Sequence, residues 1–521
     1  MTSPGRQTAD SNQTGKVWLV GAGPGDPGLI TIRGAQLLAE ADLVLHDGLV
    51  NPLVLKLARG QLERTARIRR DGQAIVPQAE INERLIQEAR MGKRVVRLKG
   101  GDPYVFGRGS EEAAALHAAG IPFEVIPGIT AAAAAAVYAG ISCTHRDLAS
   151  AVALITAHED STRDASRLDF GALARFPGTL VFYMALSRLQ FVCSELVHHG
   201  LAATTPAAVV SHASLPSQQV VTGTLADIHP LVVAAGLRPP SLLIIGECVQ
   251  QRSQLNWFEQ LPLFGLTIGI ARPEDQSHDA AELVTRLGGE PVVMPLIEIQ
   301  PVDEQFSVII RQTIERLHDF QWLIWTSANG VAEFFRHLRL AGLDARALAP
   351  LKLACVGDST ARKLAEFSLN ADLVPPHFNA ESLAAELIRL GPGQRMLWAK
   401  ASRARDTLPT LLENSGITLQ QLVVYENRDV SSLAAENIQQ LREGRIHWIT
   451  LTSPAAARRL AELLERAQLE PASITARIAS ISPLTSKAAR NMNLPVHAEA
   501  QAPDWAQLLN SIAAAHAARH S

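Results

Sequence analysis

Cysteine, net charge and long apolar runs are all scarce in this sequence, and each scarcity excludes a class of protein. Only four cysteines occur among 521 residues, without a CxxC or Cys/His spacing, at Cys143, Cys193, Cys248 and Cys355. They predict buried thiols, and neither disulfides nor a metal site. The net charge of -3 gives no sign of a face that binds nucleic acid. No apolar run approaches the ~18 residues of a membrane-spanning helix, so no membrane partner is expected.

Apolar residues are plentiful, at 47% of the sequence, and are sufficient for several buried cores. A chain of 521 residues is expected to hold about two to four domains. The segment 1–15 (MTSPGRQTADSNQTG) is polar and lacks an apolar signal core. It predicts a disordered tail on a cytoplasmic protein.

The most informative stretch runs from Arg94 to Gly109 (RVVRLKGGDPYVFGRG). It is an apolar strand, interrupted by basic residues, that ends in a double glycine and an acid-proline step. In open α/β sheets, small ligands bind at the carboxyl ends of such strands. Ser110 is predicted to cap the following helix, which carries Glu111 and Glu112 in its first turn.

A second glycine turn, GAGPGDPG, follows the strand Lys16–Val20, and the next strand ends at Asp47. The turn satisfies G-x-G-x-x-G, and Asp47 lies about where a ribose-binding acid would, so a nicotinamide oxidoreductase is one alternative. Pro24 and Pro27 argue against it, because they lack the N–H donors that a pyrophosphate cradle needs.

The segments between these turns add a basic cluster and a second α/β unit. Arg64–Arg70 contains four arginines, which are typical of a solvated face but also suit a mouth for a polyanionic small molecule. Thr130 is predicted to cap the alanine-rich helix that begins at Ala131. From about Ser150 apolar strands recur, and one of them ends at Met184, which by default is a core residue.

This half resembles uroporphyrinogen-III C-methyltransferase, over residues 16–258, through the segments GAGPGDPGLITIRG, LVLHDGLV, PQAEIN, GKRVVRLKGGDPYVFGRG, IPFEVIPGIT, AGISCTHRDLA and TLVFYM. The resemblance implies a tetrapyrrole methyltransferase fold of two α/β domains, S-adenosylmethionine as the methyl donor between them, and a homodimer. It also implies that uroporphyrinogen III is methylated at C2 and C7, through precorrin-1 to precorrin-2.

The resemblance implies site residues position by position. The methyl donor is expected to contact Pro24, Gly100, Gly101, Asp102, Val105, Thr130, Ala131, Met184 and Ala213. Asp47 takes the position of the family's proposed general base. Arg108 and the arginine cluster are expected to bind the acetate and propionate arms of the substrate.

Three positions depart from the family pattern. Arg69 stands at the catalytic position where the family has a lysine sometimes given a proton-donor role, and an arginine stays charged at neutral pH. A family turn of acid, asparagine and glycine is Ser211-His212-Ala213 here, and ITGH has become ITAH at Ile155–His158. We favour the interpretation that the residue at the position of Arg69 only binds carboxylates.

Residues 266–521 contain an internal repeat of strand, Ser/Thr-rich turn and helix. Trp322–Val331 (WLIWTSANGV) parallels Trp448–Ala457 (WITLTSPAAA), and Ala354–Leu364 (ACVGDSTARKL) parallels Ala479–Ala489 (ASISPLTSKAA). The repeat predicts two similar α/β lobes with a cleft between them. The hydroxyls and N–H groups at the helix starts suit anions, although plain helix capping explains any single turn equally well.

By the order and spacing of these motifs, residues 265–515 resemble uroporphyrinogen-III synthase. The resemblance implies a two-lobed α/β fold, with lobe 1 at about 265–300 plus 430–518 and lobe 2 at about 301–429, after a linker at 259–264. The implied reaction closes hydroxymethylbilane to uroporphyrinogen III, with inversion of ring D and loss of water. Tyr425 is expected to assist departure of the hydroxyl, and the remaining cleft contacts are expected at Arg272, Ser327, Thr360, Ser453 and Thr485.

The sequence as a whole therefore predicts a fusion of two tetrapyrrole biosynthesis enzymes. Two alternatives remain open beside the oxidoreductase. The N-terminal half could methylate a different precorrin, or one half could be a degenerate, non-catalytic scaffold. The departures at Arg69 and at Ser211-His212-Ala213 motivate the second alternative.

Overall fold

The computed structural model describes residues 14–65, 77–157, 168–404, 406–470 and 474–520. The chain divides into two compact units, residues 1–267 with 284–290 and residues 268–283 with 291–521. Four five-stranded sheets flanked by helices confirm the predicted α/β class. Among the described residues, no helix combines the length and the apolar character needed to cross a membrane. Most of the predicted tail, together with Arg69 and His158, lies outside the described residues.

The first unit begins with a parallel sheet. Its strands are β1 (Lys16–Gly21), β2 (Leu43–Asp47), β3 (Gln61–Thr65), β4 (Arg94–Lys99) and β5 (Phe123–Ile126). Its helices are α1 (Ile32–Glu40), α2 (Pro52–Leu55), α3 (Gln78–Arg90) and α4 (Gly109–Ala118). The order is β3-β2-β4-β1-β5. Because helices cover both faces, the central strands are largely apolar, as in other parallel sheets, except for the basic residues of β4.

A mixed sheet completes the first unit. The helices that follow in the chain are α5 (Ala131–Tyr138), α6 (Phe170–Ala174), α7 (Leu189–His198), α8 (Ile228–Ala235) and α9 (Arg252–Leu255). The strands are β6 (Val152–Thr156), β7 (Thr179–Tyr183), β8 (Pro206–Ser211), β9 (Gln219–Thr224) and β10 (Ser241–Ile245), in the order β6-β7-β10-β8-β9. Helix α5 packs its alanines against β7, β8 and β10, so it joins the second sheet to the first.

The second unit has two sheets. The strands are β11 (Thr267–Ile270), β12 (Glu290–Val293), β13 (Ile297–Gln300), β14 (Trp322–Trp325), β15 (Lys352–Cys355), β16 (Arg395–Ala401), β17 (Thr418–Asp429), β18 (Trp448–Leu451), β19 (Arg477–Ser480) and β20 (Val496–Glu499). The helices are α10 (His278–Arg286), α11 (Glu304–Glu315), α12 (Ala328–Leu340), α13 (Asp358–Ala365), α14 (Ala380–Ile388), α15 (Thr407–Glu413), α16 (Ala435–Arg442), α17 (Pro454–Arg466), α18 (Pro483–Asn491) and α19 (Trp505–His520).

The strand orders are β12-β11-β18-β19-β20 and β13-β17-β16-β14-β15. One sheet is therefore built from both ends of the region and the other from its middle. Strand Ile297–Gln300 pairs antiparallel with β17 of the middle sheet, although the sequence placed it at the end of the first part of lobe 1. The domain boundaries themselves stay predictions.

The repeat read from the sequence is present as matching strand-turn-helix units. Ser327 follows β14 and caps α12, with its hydroxyl accepting a hydrogen bond from the Gly330 amide at 3.0 Å. Ser453 follows β18 and caps α17, accepting from the Ala456 amide at 3.1 Å. Both hydroxyls therefore satisfy helix amides that would otherwise lack a partner.

One predicted cap is wrong and another is confirmed in position only. Arg108, with φ of 59°, is the residue that precedes α4, and Ser110 lies inside the helix. Thr130 is the N-cap residue of α5, as predicted, but makes no side-chain cap, since its hydroxyl shares a hydrogen bond with the Tyr183 hydroxyl at 2.6 Å.

The four cysteines are free thiols. Cys193, Cys248 and Cys355 are buried, as predicted, whereas Cys143 is partly exposed. Burial raises the pKa of Cys193 to about 11 and that of Cys355 to about 12. These two thiols therefore stay protonated at neutral pH and are poor nucleophiles.

His337 on α12 makes stability depend on pH. Burial, and then the charge of Arg336, lowers the pKa of this imidazole. An unfolded histidine titrates near pH 6.5, so below that pH the unfolded chain binds more protons than the folded chain. We expect the free energy of unfolding to fall from pH 6.5 towards pH 5, by at most about 1.4 kcal/mol per pH unit for this residue.

Urea unfolding of the chain at a series of pH values tests this dependence. His337→Gln should flatten the slope below pH 6.5. The same change at His318, which is exposed, should leave it unaltered, and equal slopes in both variants would contradict the assignment.

Candidate active site

The loops that follow β1 and β4 leave the sheet in opposite directions. Helices α1 and α2 pack on one face of the sheet, whereas α3 and α4 pack on the other. Strands β1 and β4 are neighbours, so a crevice opens between their carboxyl ends. This is the position at which doubly wound sheets bind ligands. The two loops also pair with each other, through a bridge between Gly23 and Gly101.

Three glycines bring backbones together at this edge. A Cβ added to Gly21 would meet Gly128 Cα at 2.5 Å and Gly101 O at 2.6 Å, so no other residue fits there. Asp102 fixes the arrangement, because its carboxylate accepts hydrogen bonds from the Tyr104 amide at 2.8 Å and the Gly128 amide at 3.0 Å. The backbones at this edge of the sheet consequently lie close together.

Residues at the end of β7, in the second sheet, form the other side of the crevice. The Tyr183 hydroxyl, at the end of β7, accepts from the Ala132 amide at 3.0 Å, and burial is the main cause that raises its pKa. Phe106 packs on the Tyr183 ring with centroids 4.7 Å apart. Met184 follows with φ of 54° and is 48% exposed, so it is not a core residue.

The residues expected to contact the methyl donor are thus carried by loops at these two edges. From the first sheet come Pro24, Gly100, Gly101, Asp102 and Val105, from the start of α5 come Thr130 and Ala131, and from the second sheet come Met184 and Ala213. Hydrogen bonds join the edges, since the Asp26 amide donates to Ser214 Oγ at 3.1 Å. Which of these residues contact a ligand stays a prediction.

Asp47 ends β2 at the same edge and is 20% exposed. Its Oδ1 accepts a hydrogen bond from Arg97 Nη2 at 2.5 Å and another from Thr65 Oγ1 at 3.3 Å. Arg97, on β4, is completely buried. A carboxylate held by a buried guanidinium has a fixed orientation.

Arg97 belongs to a buried network of charges that sequence reasoning missed. Glu112 Oε1 accepts from Arg97 Nε at 3.1 Å, from Lys99 Nζ at 2.9 Å and from Gln78 Nε2 at 3.0 Å. Burial is the main cause that lowers the pKa of Lys99. The signal was present in the sequence, because Arg97 and Lys99 lie two residues apart on one face of an otherwise apolar strand. Such residues are buried only when they are paired.

The predicted substrate arginines have different surroundings. Arg108 is exposed and already makes a two-pronged ion pair with Glu111, at 2.9 and 2.7 Å. Arg64 lies against Gly48, the residue after Asp47, where an added Cβ would meet Arg64 Nη2 at 2.5 Å. Arg69 and the other arginines of the cluster lie outside the described residues.

In the second unit, Tyr425 and Ser327 come together. The Tyr425 hydroxyl, within β17, lies 3.0 Å from Ser327 Oγ, which follows the end of β14. The Tyr425 side chain is buried, at 4% exposure, and packs in the core of the middle sheet. A phenol held beside a hydroxyl group can donate a proton with a defined direction.

The other residues of this unit that were predicted to contact substrate differ in exposure and in their partners. Arg272 follows β11, donates to Gln276 at 3.1 Å and stacks over the Trp505 ring. Ser453 is partly exposed, whereas Thr360 and Thr485 are buried at 1% exposure. Contacts of all four with substrate stay predictions. Within the part of the chain that the structure describes, no group of three or more His, Cys, Asp or Glu side chains could hold a metal ion.

Models of two protein families match the chain. The family of tetrapyrrole (corrin/porphyrin) methylases matches residues 16–229, and the family of uroporphyrinogen-III synthase HemD matches residues 278–510. The two resemblances found in the sequence motifs are thereby confirmed, in the same order along the chain.

Three relatives match between about half and nearly all of the chain. The porphyrin biosynthesis protein HemD of Ruminiclostridium josui is 35% identical over 92% of this chain and 94% of its own length. The uroporphyrinogen-III C-methyltransferase of Bacillus subtilis (strain 168) is 38% identical over 68% of this chain and 71% of its own length. A siroheme synthase of Pseudomonas fluorescens (strain Pf0-1) is 51% identical over 47% of this chain, and this chain covers only 53% of that protein.

Proposed function

The chain belongs to the tetrapyrrole methylase family through its N-terminal half and to the uroporphyrinogen-III synthase family through its C-terminal half, and from this premise we propose two consecutive reactions. It is an enzyme that joins a methyltransferase to a synthase. In the first reaction, hydroxymethylbilane closes to uroporphyrinogen III, with inversion of ring D and loss of water. In the second, uroporphyrinogen III is methylated at C2 and C7, through precorrin-1 to precorrin-2. The observation that carries the second reaction is the carboxylate of Asp47, oriented by a buried arginine at the edge of a glycine crevice.

The residues of this crevice fit S-adenosylmethionine as the methyl donor. The backbone contacts of Gly21, Gly101 and Gly128 leave a narrow edge that a flat or slender ligand can approach closely. Ile129 and Met184 expose 40% and 48% of their surfaces on the surrounding loops. Exposed apolar side chains beside ordered polar backbone are typical of small-ligand sites.

S-adenosylmethionine supplies a methyl group on a positively charged sulfur, which is transferred by in-line displacement. The main work of the protein is to hold the acceptor carbon of a pyrrole ~3–3.5 Å from that methyl group. Attack leaves an iminium-like ring that must lose a proton. Asp47 accepts this proton in our proposal, because a weak but oriented base suffices for so acidic a carbon.

Carboxylates of the tetrapyrrole need cations at the mouth of the site. Arg64 beside Gly48 offers one guanidinium. Arg108 offers another, once a substrate carboxylate competes with Glu111 for its donors. Arg69 adds a permanent charge in our proposal and transfers no proton, since arginine does not titrate near neutral pH.

Titration of the purified chain with S-adenosylhomocysteine and, separately, with NAD tests the donor assignment. Calorimetry should detect binding of the first ligand and none of the second. Binding of NAD alone would restore the oxidoreductase alternative, and binding of neither would leave the N-terminal half as a scaffold.

In the synthase half, the enzyme chiefly has to hold a folded linear tetrapyrrole while its hydroxyl leaves. Loss of that hydroxyl gives a reactive azafulvene, which closes the ring without further activation. Tyr425 protonates the departing hydroxyl in our proposal, with Ser327 orienting the phenol. Polar contacts from Arg272, Ser453, Thr360 and Thr485 to the carboxylate arms complete the proposal.

Tyr425→Phe removes one hydroxyl and little volume, so the fold should survive. We expect ring closure to slow by less than about 10²-fold, because positioning contributes most of the rate and one proton donor only part of it. Released bilane closes unaided to the uninverted isomer, so the product should shift towards uroporphyrinogen I. Chromatography of the isomers measures the shift. Tyr104→Phe, in the other half, should leave the ratio unchanged, and an unchanged ratio in Tyr425→Phe would remove Tyr425 from the reaction.

A further inference from the structure

The segment 252–264, called the bridge here, packs onto the methyltransferase half. Its rings surround Tyr138 at the end of α5, with centroid distances of 5.2 Å to Trp257 and 4.8 Å to Phe258. Trp257 Nε1 also donates to the Val137 carbonyl at 3.1 Å. Phe258 is only 4% exposed, so the bridge is anchored by a buried aromatic cluster.

Glu259 connects the bridge to the loop that follows β8. Its Oε2 accepts from Arg252 Nη2 at 2.6 Å and from Asn256 Nδ2 at 3.1 Å. Its Oε1 accepts from Gln218 Nε2 at 3.1 Å. Gln218 is 4% exposed, and its own Oε1 accepts from the Ser214 amide at 3.0 Å. Gln218 Nε2 also donates to the Tyr138 carbonyl at 3.0 Å. The carboxylate and this carbonyl together fix the orientation of a buried amide, which in turn holds the backbone of this loop.

The same loop holds the glycine turn that follows β1. Ser214 Oγ accepts from the Asp26 amide at 3.1 Å, and Asp26 Oδ2 accepts from the Tyr138 hydroxyl at 2.6 Å. A Cβ added to Gly25 would meet Ser214 Oγ at 2.9 Å, so the two loops are in close contact. These contacts form a closed path. It runs from Glu259 in the bridge through the loop after β8 and the turn after β1 to Tyr138, the ring on which the bridge packs.

The backbone conformation of Ser214 depends on these hydrogen bonds. Ser214 has φ of 63°, a conformation that costs a non-glycine residue of order 1 kcal/mol or more unless its surroundings hold it there. The neighbouring residue, Ala213, is one of the proposed donor contacts. Weakening the hold on Ser214 therefore moves the donor site while leaving the sheets intact.

We propose that Glu259 is a positioning residue for the methyl-donor site, acting through Gln218 and Ser214. The inference rests on the proposed function, because the loops are donor loops only if that proposal is correct. It makes the bridge between the two halves a working part of the methyltransferase. The sequence by itself predicts only a linker at residues 259–264.

Glu259→Gln in the full chain tests the proposal. The variant leaves Arg252 without its carboxylate and sets an amide against the Gln218 amide. We expect the dissociation constant for S-adenosylhomocysteine, measured by calorimetry, and the KM for S-adenosylmethionine to rise about tenfold. The kcat at saturating donor should change much less, because Asp47 and the tetrapyrrole mouth are untouched.

Two further variants separate positioning from general damage. Glu247→Gln makes the same change at an exposed residue that accepts a hydrogen bond from Gln250 in its own segment. The affinity of this variant should match that of the parent chain. Ser214→Ala removes the hydroxyl at the other end of the path and should weaken donor binding by itself. The double variant Glu259→Gln/Ser214→Ala should lose less affinity than the two single losses combined, because both act through one path.

Different results would overturn the role of Glu259 and the proposed function. Donor affinity within twofold of the parent chain in Glu259→Gln would overturn the inference, as would full additivity with Ser214→Ala. An equal loss of methyl transfer and of synthase activity would also overturn it, since that pattern marks unfolding. Failure of the parent chain to bind S-adenosylhomocysteine would instead overturn the proposed function.

Discussion

Asp47→Asn is expected to lower turnover of methyl transfer by about 10²–10⁴-fold, the range typical of removing a general base. Affinity for S-adenosylmethionine should persist, because the change keeps the size of the side chain and the backbone of β2. An amide can still accept the hydrogen bond from Arg97 Nη2, so the network below it keeps its geometry. Turnover of labelled donor with uroporphyrinogen III, beside calorimetry with S-adenosylhomocysteine, measures the two quantities separately.

Asp42→Asn is the matched control for that variant. Asp42 also pairs with an arginine of β4, but it lies at the opposite end of β2 and is exposed. Its replacement should leave turnover unchanged. Near-normal methylation by Asp47→Asn would reassign Asp47 to a structural role, and the proton would then have to leave to solvent or to another group.

Arg97→Leu is expected to be the most destabilising of the changes considered. It removes the cation that pairs with both Asp47 and Glu112, and it leaves Glu112 paired with Lys99. Removing one partner from a buried ion pair typically costs about 3–5 kcal/mol, because the charge that remains has lost a buried partner. We expect a loss of this order in the free energy of opening β2 and β4.

Hydrogen exchange followed by mass spectrometry on peptides from β2 and β4 measures that loss directly. Arg94→Leu is the control, since it is the same substitution on the same strand in an exposed pair with Asp42. Exposed pairs contribute little to stability. Equal protection in the two variants would show that the network is not required for the fold.

The sequence predicted the ends of the strands well, because glycine turns and acid-proline steps are local signals. Asp47 and the turns after β1 and β4 were expected at the carboxyl ends of strands and lie there. The repeat in the second unit was equally legible, since Ser327 and Ser453 occupy matching turns and make matching caps. Each of these features is encoded within about ten consecutive residues.

Features that depend on distant partners could not be predicted. The basic residues of β4 were visible, but nothing local indicates that Glu112 meets Arg97 and Lys99 from a helix on the covering layer. Thr130 gives up its expected cap because Tyr183, 53 residues away, offers its hydroxyl a partner. The hydrogen bond from Gln218 to Glu259 likewise joins residues 41 positions apart in the sequence.

The central claim is that one chain closes the tetrapyrrole and then methylates it. The most direct measurement is incubation of the purified chain with hydroxymethylbilane and S-adenosylmethionine, followed by mass spectrometry of the tetrapyrroles. We expect a tetrapyrrole that has lost water and gained two methyl groups, with a singly methylated species appearing earlier. Accumulation of unmethylated uroporphyrinogen III, or of uroporphyrinogen I alone, would contradict it.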